Sequence, residues 1–118
     1  MYIAKKKHII IDYVYYNRKI FNDFLPHPKD LKIGFRPPYK NIIAEVEYNK
    51  SKKTIGLYFR YRKFSSRKVY IHVLIHEMVH IADLLEHGIL TGHGKHFFKH
   101  KKRLQHLGNI PLNLEYKI

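Results

Sequence analysis

Residues 67–87 read RKVYIHVLIHEMVHIADLLEH, preceded by Ser65-Ser66 and followed by Gly88. Either serine can cap a helix N-terminus and glycine suits its left-handed close, so the stretch predicts one helix from about Arg67 to His87. Its apolar residues, Val69, Val73, Ile75, Met78, Val79, Ala82 and Leu85, spread too widely for a single stripe. A helix of that kind is buried on most of its sides. Inside it, His76-Glu77-Met78-Val79-His80 has the H-E-x-x-H spacing of zinc hydrolases. Four residues of helix advance about 6 Å and turn about 400°. Both imidazoles therefore share one face and can share one tetrahedral metal, with Glu77 displaced sideways toward a water that zinc would activate.

Ten histidines in 118 residues make a chance H-E-x-x-H about a one-in-thirty event. The rest of the chain has to decide what the motif means. A length of 118 residues suits one domain, 1–118, with a single modest core. There is no cysteine. That excludes disulfides, thiolate zinc sites and a cysteine nucleophile, leaving histidine and carboxylate as metal ligands. Lys5-Lys6-Lys7 precede only Ile9-Ile10-Ile11 before Asp12, too short an apolar run for a signal or a membrane span. A cytoplasmic location, with no membrane partner, is the expectation.

The formal net charge is +14. The functional reading is a polyanionic partner, DNA or RNA, with DNA contact expected through a basic surface. The competing reading is codon composition, since Lys, Ile and Tyr are all favoured by AT-rich genes. Basic residues are densest at 50–53, 60–68 and 95–103, and no DNA-reading motif accompanies them.

Upstream, Ile9, Tyr13, Tyr16, Ile20 and Phe24 recur at helical spacing, predicting an amphipathic helix over 8–24 that Pro26 and Pro28 end. Residues 31–35, 43–48 and 54–61 alternate and predict three strands with short links, an antiparallel meander. A third helix is expected from about Lys95 to Leu107, before Gly108 and Pro111. Residues 112–118 read equally as a strand or a tail. The fold class is α+β.

A catalytic zinc wants three protein ligands and an open position. The metzincin pattern fails, because Asp83 and Glu86 stand where it needs glycine and histidine. A gluzincin pattern fails too, because residues 95–107 hold no acid. Histidines are what follow: His93 between Gly92 and Gly94, then His96, His100 and His106. On chemistry alone the third ligand is His93 or His96.

His76-Glu77-Met78-Val79-His80 followed by Gly92-His93-Gly94-Lys95-His96-Phe97 resembles the SprT-like (Spartan-type) metallopeptidases, whose pattern is H-E-x-x-H, about a dozen residues, then G-H-G-x-x-F. The resemblance implies that His76, His80 and His93 hold one Zn²⁺, that Glu77 is the catalytic glutamate, and that Phe97 is the aromatic of the second motif. It also implies a zincin-like order: N-terminal helix, three strands, metal helix and a following helix. Without cysteine the chain looks like a minimal form lacking a C-terminal zinc ribbon. The expected activity is hydrolysis of peptide bonds in protein substrates on or near DNA, as in DNA–protein crosslink repair, by a monomer. The alternative is a non-catalytic basic nucleic-acid-binding module with a structural zinc. Among the remaining residues, Asp83 reads either as a carboxylate orienting an imidazole or as a solvated acid. His72 reads as a structural histidine, His87 as a favourable charge at the helix C-terminus, and His100 and His106 as part of a solvated basic face.

Overall fold

The computed structural model describes residues 1–88. The expected third helix, the Gly92-His93-Gly94 motif and residues 112–118 lie outside the described residues. The described elements are β1 (Tyr2–Ile3), α1 (Lys6–Phe21), a 3-10 turn (Pro28–Asp30), β2 (Leu31–Phe35), β3 (Ala44–Asn49), β4 (Thr54–Phe59), β5 (Lys63–Phe64) and α2 (Arg67–His87). The class is α+β, as expected, and no described helix is long and apolar enough to cross a membrane.

Helix α1 stops at Phe21, short of the predicted Phe24. Asn22 and Asp23 both take left-handed backbone angles, φ 51° and 59°, a conformation that Asn and Asp tolerate better than most side chains. The chain then folds back onto the helix. Asn17 holds the Leu25 backbone twice, donating to its carbonyl and accepting from its N–H, both at 3.0 Å. Tyr13 Oη, one turn earlier, donates to the Pro26 carbonyl at 2.7 Å. The prolines therefore follow the turn and do not end the helix. Phe24, expected on the apolar face, is half exposed as a result.

The three central strands are not the antiparallel meander predicted. Their order is β2-β4-β3, with β3 antiparallel to β4 but β2 parallel to it, pairing Leu31 with Ile55 through Phe35 with Phe59. The β3–β4 hairpin is local and forms as expected. Its turn is held by Asn49, whose side-chain oxygen accepts from Ser51 and from the Lys52 N–H. The link 36–43 is long enough to carry the chain from β2 past a strand position, so β4 takes the centre. That outcome follows from burial: β4 buries Ile55, Leu57 and Phe59, whereas β3 carries Glu45 and Glu47 and suits an edge. Arg36 then ties the sheet across its outer face. Its guanidinium stacks 3.7 Å from the centre of the Tyr58 ring and pairs with Glu45 and Glu47 on β3.

The inner face of the sheet (Ile33, Ala44, Ile55, Leu57 and Phe59) joins Ile9, Tyr13 and Ile20 of α1 in one core, and α2 runs through it. Strands β1 and β5 form a separate two-stranded ribbon, pairing Tyr2 with Phe64, that leads into α2.

Candidate metal centre

Helix α2 begins and ends where the sequence places it. Ser66 Oγ accepts from the Val69 N–H at 3.3 Å, and Gly88, at φ 75°, returns its N–H to the Leu84 carbonyl at 2.7 Å. Its first turn is anchored to α1. Arg67 reaches Asp12 with Nη2 at 2.7 Å and Nη1 at 3.2 Å, and Tyr70 Oη donates to the same carboxylate at 2.9 Å. Arg67 also donates to Tyr2 Oη at 3.0 Å, adding the N-terminal ribbon to the cluster. Nothing in the local sequence around Asp12 announces this pair, whose members are 55 positions apart. The one available signal is an acid inside an otherwise apolar helical face.

Anchored in this way, α2 is enclosed to an unusual degree. From Tyr70 to Leu84 every residue is buried except His76 and His80, which are half-buried. The two rings lie 5.0 Å apart between centroids at an interplanar angle of 71°. One ligand atom from each of His76, Glu77 and His80 falls within 4.8 Å of the others. The spacing read from the sequence therefore becomes a cluster of two nitrogens and a carboxylate, open only at the imidazoles.

Glu77 is 1% exposed, and its Oε1 has no hydrogen-bond partner among the described residues. Burying a carboxylate in this way favours its neutral form. Burial first, and the nearby charge of Glu45 second, push the Glu77 carboxyl up to about 8. Glu45 is a neighbour that the sequence reading did not identify, since only the tertiary fold lays β3 beside α2. Burial alone would raise Glu45, but hydrogen bonds from Arg60 and Arg36, each at 2.8 Å to the same oxygen, outweigh it and hold the carboxyl below its ordinary value.

Nitrogen and oxygen donors with an orphaned buried carboxylate oxygen suit a borderline cation such as zinc. The residues present fit such an ion. Asp83 is fully buried rather than solvated, and its Oδ1 lies 3.5 Å from His87 Nε2, one turn along. His72 is also buried, and burial followed by the charge of Lys68 lowers its proton affinity. His87 closes the last turn, as expected, with Glu86 at 3.8 Å. His93, the expected third ligand, lies outside the described residues.

No curated protein matches the chain. The model of the SprT-like family matches residues 12–116, a range that runs from Asp12, the anchor of α2, through the clustered histidines and past Gly92-His93-Gly94. The chain belongs to the SprT-like family.

Proposed function

We propose that this protein is a zinc-dependent metallopeptidase that hydrolyses peptide bonds, with His76, His80 and His93 as the metal ligands and Glu77 as the catalytic residue. The observation that carries the reading is the enclosure of α2: its buried length opens only at the two histidines, with a buried carboxylate between them. A helix with a purely structural role has no use for an unpartnered Glu77 in that position, since an unsatisfied buried oxygen costs stability.

Zinc, when bound, polarises a carbonyl and lowers the pKa of a water to about 7. The chain's own contribution is proton handling. A carboxyl raised to about 8 by burial would be brought down by a cation beside it. Glu77 then takes a proton on Oε1 from the attacking water and passes it to the leaving amine. The burial of Glu77 itself, at 1% exposure, keeps bulk water from competing for that proton. Strand β3, at the edge of the sheet beside α2, presents unpaired backbone groups among the described residues. An extended peptide is the natural partner of such an edge.

The +14 charge supports substrates held on or near DNA, as in the repair of DNA–protein crosslinks. The test is a cleavage assay on zinc-loaded protein, with the chain itself and DNA-bound proteins as substrates, with and without DNA. Glu77→Gln should keep zinc and lose turnover. Absence of zinc-dependent cleavage in every arm would overturn the peptidase reading. Cleavage indifferent to DNA would remove only the nucleic-acid part.

A further inference from the structure

Helix α1 carries a second apolar stripe on the side turned away from the core. Ile9, Tyr13 and Ile20 are buried inside the fold, and half a turn round the helix stand Ile11, Val14 and Tyr15. Nothing among the described residues covers that stripe: Ile11 is 63% exposed and Tyr15 52%. Its shape is nevertheless set. The Tyr15 ring packs edge-on against Tyr16, centroids 4.8 Å apart, and its hydroxyl accepts from Lys19 Nζ at 3.3 Å. Between these side chains lies an open hollow of about 380 Å³, lined by Ile11, Val14, Tyr15, Arg18 and Lys19.

The charges that frame the hollow are basic. Lys7 stands one turn before Ile11, and Arg18 and Lys19 stand one turn after Val14 and Tyr15. Lys7 and Lys19 have no ion-pair partner among the described residues. Arg18 meets Asp23 at 3.8 Å, but both side chains are well exposed and such a pair holds weakly. Asp12, the one acid within α1, is turned inward to Arg67. The face therefore sets three cations against one acid around an apolar centre.

Apolar anchors flanked by carboxylates complement such a surface, in the manner of a helix laid into a groove. We propose that this face of α1 docks an acidic amphipathic helix of a partner protein, its apolar side chains between Ile11 and Tyr15 and its carboxylates at Lys7, Arg18 and Lys19. Charge decides against two nearer occupants. A second copy would bring the same cations against one another. The chain's own residues 89–118 hold six Lys or Arg and one Glu, the wrong sign for this face. A nucleic-acid strand would satisfy the cations but set its phosphates against Ile11 and Val14. The Tyr15 ring, on which a base would have to stack, already has Lys19 Nζ 5.4 Å from its centre. The proposal stands apart from the metal centre and does not depend on the peptidase reading.

The test uses the full chain carrying Glu77→Gln, so that probes stay intact, and a fluorescent peptide of about fifteen residues, long enough to form a helix. The peptide carries Leu at i, i+3, i+4 and i+7 with Glu on the flanks; two controls replace the Leu by Ala or the Glu by Lys. The Leu–Glu peptide should bind at least about tenfold more tightly than either control. Because the +14 charge attracts any acidic peptide, variants must locate the binding. Ile11→Ser with Tyr15→Ser, at exposed positions, should weaken it about tenfold. Arg18→Glu with Lys19→Glu should do the same by an independent route. Lys50→Glu with Lys52→Glu, an equal change of charge in the β3–β4 turn, should leave it within about threefold. No detectable binding, equal losses from the two charge reversals, or full binding by the Ile11→Ser, Tyr15→Ser variant overturns the proposal. So does a single-stranded oligothymidylate whose binding falls in that variant while the peptide's does not, which would assign the face to nucleic acid.

Discussion

Arg67 grips Asp12 with two guanidinium nitrogens, at 2.7 and 3.2 Å, and so fixes the first turn of α2 to the middle of α1. Asp12 is only 6% exposed, and Tyr70 Oη donates to it as well. Removing that acceptor leaves the buried Tyr70 hydroxyl without its acceptor and costs the Arg67 ion pair. Asp12→Ala should cost about 2 kcal/mol in urea denaturation. Asp12→Asn, which keeps one acceptor, should cost less. Equal stability of wild type and Asp12→Ala would show that α2 does not depend on this anchor.

The stack Gly56–Tyr58–Arg36 makes a coupled prediction. Gly56→Ala would drive the Tyr58 ring off its seat and away from the Arg36 guanidinium 3.7 Å above it. The expected loss is about 1–2 kcal/mol, from the displaced ring and the forfeited cation–π contact. Because Tyr58→Ala already removes both, the double variant should be clearly less destabilised than the sum of the singles. A full double-mutant cycle by chemical denaturation reads this directly, and strict additivity would contradict it.

Glu45 supplies a pH dependence. Its carboxyl is held below the ordinary value because the Arg60 and Arg36 hydrogen bonds outweigh the effect of burial. A carboxylate with a depressed folded value stabilises the protein above its unfolded value, about 4.3, and loses that contribution as pH falls through the folded value. Wild type should therefore exceed Glu45→Gln by about 1 kcal/mol at pH 7. The gap should close between about pH 5 and pH 3. A gap that is constant with pH would mean that the ionised form is not what the two arginines hold.

Zinc binding separates the two candidate third ligands. His93→Ala should weaken zinc affinity by at least about a hundredfold, as loss of one of three ligands requires, whereas His96→Ala should leave it within a few-fold. Competition with a chromogenic chelator measures both. Zinc should also raise the melting temperature of wild type by mass action and do so far less for His93→Ala. The reverse ranking would move the third ligand to His96.

Some of this was legible before any fold was known. The serine pair 65–66 and Gly88 bracket α2 closely, with Ser66 the one that caps, because capping and i, i+4 geometry are local and need no partner from elsewhere. The three central strands were placed to within about two residues for the same reason, as alternation records which side chains face a core, whereas the two-residue strands β1 and β5 are too short to alternate and were not predicted. Alternation does not record which strand lies next to which. The parallel β2–β4 pair and the central place of β4 follow from which strands bury most apolar surface. The end of α1 at Phe21 was hidden because Asn17 reserves its side chain for Leu25, a contact invisible in an apolar repeat.

The sequence by itself determined the helix, the pairing of His76 with His80 on one face, and the choice of histidine and carboxylate as the only ligand types in a cysteine-free chain. Tertiary structure alone decided that Glu77 is buried, that Glu45 stands near it, and that α2 is covered along its buried length except at the two imidazoles. Spacing along one helix is set by its own hydrogen bonds, whereas burial and neighbouring charge come from strands and helices that meet only when the chain has packed.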